Sequence, residues 1–423
     1  MTRRRRPGLA AGLAFLLAVG VAGATPSFGA VSTPPPTPVP PSGSPSPFPT
    51  ALSTPKPSPS PPVLHSAAGF LEDPTTGQSL DRKAAGTPRP IASLTKIMTA
   101  LTVLATTPLK RTVTVSPSAA SAGGSTLGLR AGERITVRNL MYALLLQSSN
   151  DAAVALADGV AGSSTSFVAM MNRRAAALHL VGTRFASPSG LDNAGHSTAR
   201  DLAALTVAAY HFRAFADIVA SKSWDIPGPG HTQRHVQNRN VLLWLYPGAI
   251  GVKTGFTTPA GHCVVAMARR QGRTLLAVVL GGPTETAAFD DAAALLNFGF
   301  DEFQNVALVR RGERLGTATV GGLEIPAVAA ADLVKLVRID QVPSIKRFFT
   351  ATPSLRLPVH AGQVVGEEAV WVAGRRITAV PTVTRAGAPT PPATSPGSAQ
   401  TGQLQGAARL VIALLRTMFD GFL

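Results

Sequence analysis

Apolar residues recur at helical spacing in "IASLTKIMTALTVLA" (91–105), which follows Pro90 directly, so a helix is expected there. The same spacing runs through "VRNLMYALLLQSSNDAAVALADGVAG" (137–162), read as two helices that meet at Ser148-Ser149-Asn150. It returns in "STSFVAMMNRRAAALHL" (164–180) and "ETAAFDDAAALLNFGFDEF" (285–303). Two stretches have strand character instead. "SAAGFLEDPTTGQSLDRKA" (66–84) reads as two short strands around an Asp-Pro-Thr-Thr-Gly turn, and "GAIGVKTGFTTPAGHCVVAMARRQGRTLLAVVLGG" (248–282) as strands with a turn at Gln271-Gly272. The order is strands, a helical block, strands, then a helix that packs back. That predicts an α/β sandwich with a helical insertion over 63–303, not a doubly wound sheet.

Flanking segments differ in pattern. Residues 304–385 alternate in short runs such as "NVALVRRGERLGTATV" with frequent turn signals, which predicts a small all-β domain. Residues 25–62 hold a Pro/Ser/Thr linker, and 386–403 a second linker; neither composition supports a packed core. Residues 1–24 place Arg3 to Arg6 before an apolar run that ends in Ala22-Gly23-Ala24, the layout of a cleaved signal peptide. That run is shorter than the roughly 20 residues of a spanning helix. In the tail (404–423), Gln405, Arg409, Arg416 and Asp420 fall in one narrow sector of a helix. An amphipathic helix lying in a membrane interface is expected, with a helix docked on the β domain as the alternative.

Charge adds a partner class. Net charge is +17, so an exported chain of this kind is drawn to anionic surfaces, the membrane surface at 404–423 among them. Nucleic acid is not expected, because the basic residues are scattered and the compartment is wrong. Cys263 is the only cysteine, which rules out an internal disulfide, and it reads as a small core residue.

Three short motifs carry the chemistry: Ser93-Leu94-Thr95-Lys96, Ser148-Ser149-Asn150 and Lys253-Thr254-Gly255. Each alone has an ordinary explanation, Ser93 as a helix cap and Ser148 to Asn150 as an interhelix turn. Together they make a reactive set. A serine hydroxyl needs an adjacent base, and residues i and i+3 at a helix start share a face, so Lys96 can reach Ser93. Lys96 is a base only when neutral, and burial, the helix N-terminus and the second cation Lys253 all disfavour its charged form. The Ser93 N–H can supply half of an oxyanion hole, Ser148 can relay a proton to the leaving amine, and Asn150 can hold a substrate amide. Lys253 and Thr254 sit on a strand that an extended peptide could pair with, and would receive a terminal carboxylate. Gly255 leaves that approach open. No metal and no cofactor is called for.

The three motifs in this order resemble the set of penicillin-binding proteins and class A β-lactamases. With "RPIASLTKIMTAL", "LLLQSSNDAAVALA", "MNRRAAAL", "GHSTARDLAAL", "NRNVLLW" and "GVKTGFTTPAGHCVVA", the chain is similar to the D-alanyl-D-alanine carboxypeptidases, the low-molecular-mass penicillin-binding proteins. The resemblance implies a β-lactamase/serine-transpeptidase-like sandwich with a helical subdomain, followed by a β module and often an amphipathic anchor. It implies Ser93 as the acylated nucleophile, Lys96 as its base, and Ser148 and Asn150 as the second element. Lys253, Thr254, Gly255 and Thr257 would form the third, and Arg239 would help to bind the substrate carboxylate. His196 falls at a position read as structural. Ser149 stands where relatives often have glycine, Phe256 where they are often polar, and Pro283 where some carry a basic residue. The implied substrate is a peptidoglycan stem peptide ending in D-Ala-D-Ala, with β-lactams as covalent inhibitors, at the outer face of the membrane or in the wall.

An efficient class A lactamase is disfavoured, since these use a glutamate after the second motif and the chain has no Glu between Glu133 and Glu285. An endopeptidase that cuts cross-links with the same residues remains open. A non-catalytic wall-binding module would suit the linker and the charge, but would have no need of Lys96.

Overall fold

The computed structural model describes residues 60–387, apart from residue 193. The expected leader, nearly all of the first linker, the second linker beyond 387 and the amphipathic tail lie outside the described residues.

Five strands form the central sheet: β1 (Ala68–Asp73), β2 (Gln78–Lys83), β3 (Ala249–Thr257), β4 (Gly261–Arg270) and β5 (Arg273–Gly282). Their order is β2-β1-β5-β4-β3 and every pairing is antiparallel. The middle of the sheet is buried on both faces, and the period-2 rule sorts its side chains. On β4, Val265 and Met267 enter one core while Val264, Ala266 and Ala268 enter another; on β5, Leu276, Val278 and Leu280 oppose Leu275, Ala277 and Val279. This explains why these two strands read as near-continuous apolar runs instead of alternating ones.

Six longer helices cover the two faces. One face receives α1 (Lys96–Leu104), α2 (Asn150–Ala161), α3 (Ser164–Ala177), α4 (Ala199–Tyr210) and α5 (Arg213–Ala220), all contributing to the first core. The other receives α6 (Glu285–Glu302) alone. Side-chain caps fix several of these starts: Ser163 accepts from Ser166 N, Thr198 from Asp201 N and Thr284 from Ala287 N. The helix expected over 137–147 exists but ends in one turn of π-helix (Ala143–Gln147). A hairpin of Ser223–Pro227 and Gln233–Gln237 was not anticipated from the pattern, its strands being short and polar.

Beyond α6, Phe303–Val309 pairs with Leu333–Arg338, and five further strands form a sheet; one small core is shared by the pair and this sheet, and a second lies against the sheet. Two side chains stitch this β region to the body. Gln78 exchanges both hydrogen bonds with the Leu336 backbone, donating to its carbonyl at 2.6 Å and accepting from its N–H at 3.2 Å. Arg273 donates to the carbonyls of Gly299, Phe300 and Phe303, closing the end of α6.

Leu276 is fully buried at the middle of β5. Leu276→Ala is expected to cost about 2–5 kcal/mol through lost contacts and a residual cavity, read as a lowered thermal midpoint.

Candidate active site

Ser93 does not cap a helix. It lies inside a 3-10 turn (Ala92–Thr95) that leads into α1, and no side chain caps either start. The turn is entered through Ala92, whose φ of 46° is left-handed, a conformation that disfavours a Cβ. Gly190 makes room for this: a Cβ on it would stand 2.0 Å from the Ala92 carbonyl oxygen. The Gly190 loop is tied to α1, because Thr99 donates to the Pro188 carbonyl at 2.6 Å. Strained backbone beside a reactive serine is thus held by contacts on both sides.

Lys96, one turn on, has no exposed surface. Its Nζ lies 2.9 Å from Ser93 Oγ, 2.7 Å from Asn150 Oδ1 and 2.7 Å from the Ser189 carbonyl oxygen. Burial pushes its pKa well below the usual lysine value; Lys253 and then Arg239 add to the shift, and only Asp151 opposes it. A neutral amine fits these three contacts. Its two hydrogens go to the Asn150 and Ser189 oxygens, and its lone pair is left for the Ser93 hydroxyl.

Ser148 and Asn150 are placed by the break between the π-turn and α2. Ser148 has φ 66° and ends the π-turn; its buried Oγ has no hydrogen-bond partner among the described residues and lines the cavity. Ser149 is fully buried and does not line it. Both ends of the Asn150 amide are taken by protein: Oδ1 by Lys96, and Nδ2 by donation to the Gly123 carbonyl at 2.8 Å. The expectation that Asn150 holds a substrate amide therefore meets a competitor. In this arrangement Asn150 first orients Lys96.

Lys253, Thr254, Gly255 and Thr257 all lie on β3, which is an edge of the sheet, so its outward backbone is unpaired by other strands. Gly255 passes close to the serine: a Cβ there would lie 3.0 Å from Ser93 N and 3.1 Å from the Ile91 oxygen. Lys253 is buried and donates to the Thr254 carbonyl at 2.8 Å. Burial, followed by the charge of Arg239, lowers its pKa to about 7. Arg239 is exposed and donates to Ser125 Oγ at 3.0 Å.

These groups line one cavity of about 360 Å³, which includes Ser93, Ser148, Asn150, Arg239, Thr254 and Thr257. Lys96 and Lys253 lie beneath it. His196 is apart from it, its backbone paired with Arg184, as a structural role requires. Cys263 is buried and unpaired on β4, with its thiol pKa raised to about 11 by burial, so it is protonated and inert near neutrality.

Sequence reasoning missed three contributors. Ser189 acts through its carbonyl, which no side-chain pattern reveals. Asp151, next to Asn150, accepts from the N–H groups of Leu127, Gly128 and Leu129 at 2.9–3.1 Å. It thereby pins the loop that carries Ser125, the third missed residue, to the start of α2. The adjacency Asn150-Asp151 was visible, but its long-range partners were not.

A serine hydroxyl held against a buried amine at the floor of a cavity is the equipment of a serine hydrolase. The family model described as D-alanyl-D-alanine carboxypeptidase matches residues 56–284. The D-alanyl-D-alanine carboxypeptidase DacD of Escherichia coli is 36% identical over 343 residues, covering 76% of this chain and 87% of that protein. DacB2 of Mycobacterium tuberculosis is 38% identical over 240 residues, covering 55% and 81%. Among solved structures, DacD of Francisella tularensis matches with a TM-score of 0.69 at 26% identity, covering 80% of this chain and 98% of that one. Penicillin binding protein 5 of Haemophilus influenzae matches at 0.66 and 26%, covering 78% and 98%. The chain belongs to the D-alanyl-D-alanine carboxypeptidase family, and is a serine-type peptidase with a penicillin-binding fold.

Because a Cβ at Gly190 has nowhere to go, Gly190→Ala is expected to displace the turn carrying Ser93. Labelling by a fluorescent penicillin should fall at least tenfold, with the far-ultraviolet circular dichroism unchanged.

Proposed function

We propose that this enzyme removes the terminal D-alanine from peptidoglycan stem peptides through an acyl-enzyme on Ser93. The observation that carries the reading is the Lys96 amine, fully buried and 2.9 Å from Ser93 Oγ. Neutral Lys96 takes the Ser93 proton as Oγ attacks the carbonyl of the penultimate D-alanine. Negative charge grows on the carbonyl oxygen beside the Ser93 N–H at the start of the turn. Ser148, whose hydroxyl has no partner among the described residues, relays the proton taken by Lys96 to the departing amine, which returns Lys96 to its neutral form. Arg239, Thr254, Thr257 and the ammonium of Lys253 receive the terminal carboxylate, and the peptide lies against the open edge of β3, while the missing side chain of Gly255 makes room for the Ser93 turn and not for the peptide. Water then attacks the ester, again with Lys96 as base, and frees the shortened peptide.

β-Lactams would acylate the same serine. The leader pattern of residues 1–24 and the amphipathic pattern of 404–423 support an exported enzyme held at the outer face of the membrane, with the 304–385 region between anchor and active site. The boundaries 63–303 for the catalytic domain and 304–385 for the β domain belong to the same reading. An endopeptidase would use the same groups; the following β region and the amphipathic pattern of the tail favour the carboxypeptidase.

Two measurements test this. The full chain incubated with an acyl-D-Ala-D-Ala peptide should release D-alanine, and Ser93→Ala should lower release by about a thousandfold or more and abolish penicillin labelling. Absence of release, or labelling that survives Ser93→Ala, refutes the assignment.

The second concerns pH. A base with a depressed pKa gains activity as pH rises through that pKa, so kcat/KM should climb on the acid side as Lys96 loses its proton. It should fall as pH passes about 7, where free Lys253 loses the charge that binds the carboxylate. Since the Lys253 charge helps to depress Lys96, Lys253→Met should move the acid limb of the penicillin acylation rate to higher pH. An unmoved limb contradicts the coupling.

A further inference from the structure

The hairpin of Ser223–Pro227 and Gln233–Gln237 carries a charge on the wrong face. Its inward face holds Trp224, Ile226 and Val236, and the last two are fully buried in the first core. Arg234 pairs with Ile226 across the hairpin, so it falls on that same face. A guanidinium there needs a partner, and it has one. Nη1 donates to Glu133 Oε1 at 2.6 Å and Nη2 to Oε2 at 2.9 Å, a two-pronged ion pair whose side chains are 14% and 10% exposed. The hydrogen bonds from Arg234 hold the Glu133 carboxyl below its ordinary pKa, so the pair stays charged across the neutral range. Arg234 Nη2 also donates to the Gly128 carbonyl at 3.0 Å, and the Glu133 carboxylate accepts from Arg130 N at 3.2 Å. The pair therefore grips one end of the loop 125–130.

The other end of that loop is a wall of the cavity. Ser125 Oγ accepts from Arg239 Nη2 at 3.0 Å, the only hydrogen bond of that guanidinium among the described residues. The Ser125 carbonyl accepts from Asn150 N at 2.6 Å. Arg234 and Arg239 follow one another closely on a single segment, and both reach the same loop. Arg239 itself is exposed, so Ser125 is what keeps its planar fork in one orientation. We infer that the Arg234–Glu133 pair positions Arg239 for the terminal carboxylate of the substrate, acting through Ser125. Neither member of the pair lines the cavity. Loosening the loop at Gly128 lets Ser125 drift from Arg239, and each incoming carboxylate must then order the guanidinium afresh. This inference rests on the carboxypeptidase reading.

The test compares an acyl-D-Ala-D-Ala peptide with its C-terminal amide on the full chain, following release of D-alanine and of D-alaninamide. The wild type should favour the acid. Arg234→Gln should lower kcat/KM for the acid about tenfold, through KM with kcat held, as loss of a binding contact does. Hydrolysis of the amide should not change, so the preference for the acid shrinks by the same factor. Arg234→Lys, a point charge in place of the fork, should fall between the two. Glu133→Gln should act in the same direction, and combining it with Arg234→Gln should add nothing. A loss shared equally by acid and amide, or a preference that survives Arg234→Gln, overturns the positioning role and leaves the carboxypeptidase intact. No release of D-alanine by the wild type sinks the parent reading. Equal use of acid and amide by the wild type removes the carboxylate contact, and the positioning role with it. Penicillin labelling of each variant at saturation shows that it is folded; if Arg234→Gln is not, Arg234→Lys and Glu133→Gln decide the same question.

Discussion

The site depends on keeping one amine dry. Lys96 has no contact with solvent, and its three partners come from three separate parts of the chain: the turn that carries Ser93, the head of α2, and the loop before Gly190. A charged lysine in that position would be costly to desolvate, and two further cations stand nearby. The neutral form removes the conflict and leaves a lone pair where a proton must be collected. The same burial that makes Lys96 expensive to fold around makes it useful, which is the usual relation between strain and function.

The surrounding elements can be understood as supports for that geometry. The Ala92 carbonyl and the Gly190 loop interlock, and Thr99 clamps the loop to α1. Asp151 gathers three backbone N–H groups from the opposite wall and fixes the loop that carries Ser125, which in turn engages Arg239. From the third side β3 presents Gly255, where any side chain would press on the serine turn. The cavity walls are therefore mostly backbone and small residues, which hold position better than long side chains do.

Much of this could be read before the fold was known. Near-continuous apolar runs gave away β4 and β5, and helical spacing gave α1, α2, α3 and α6, because burial on a regular element leaves a local trace. The three motifs marked Ser93, Lys96, Ser148, Asn150 and Lys253 to Gly255, since their side-chain chemistry is in the letters. What escaped works through the backbone or across long separations. The Ser189 carbonyl lies 93 residues from its partner, the Asp151 contacts run to a loop some 22–24 residues away, and Ala92 has a conformation that its identity argues against. The π-turn before Ser148 is equally silent, as nothing in "ALLLQ" departs from an ordinary helix.

The joint between the body and the β region has a mechanical side. Gln78 copies a strand's hydrogen bonding against Leu336, and Arg273 gathers the last carbonyls of α6 together with that of Phe303. Joints of this kind resist hinging, because bending them breaks several part-buried hydrogen bonds at once. The β region therefore moves with the central sheet as one piece, and a pull on its strands reaches β2 and β5, which carry Gln78 and Arg273, without an intervening hinge.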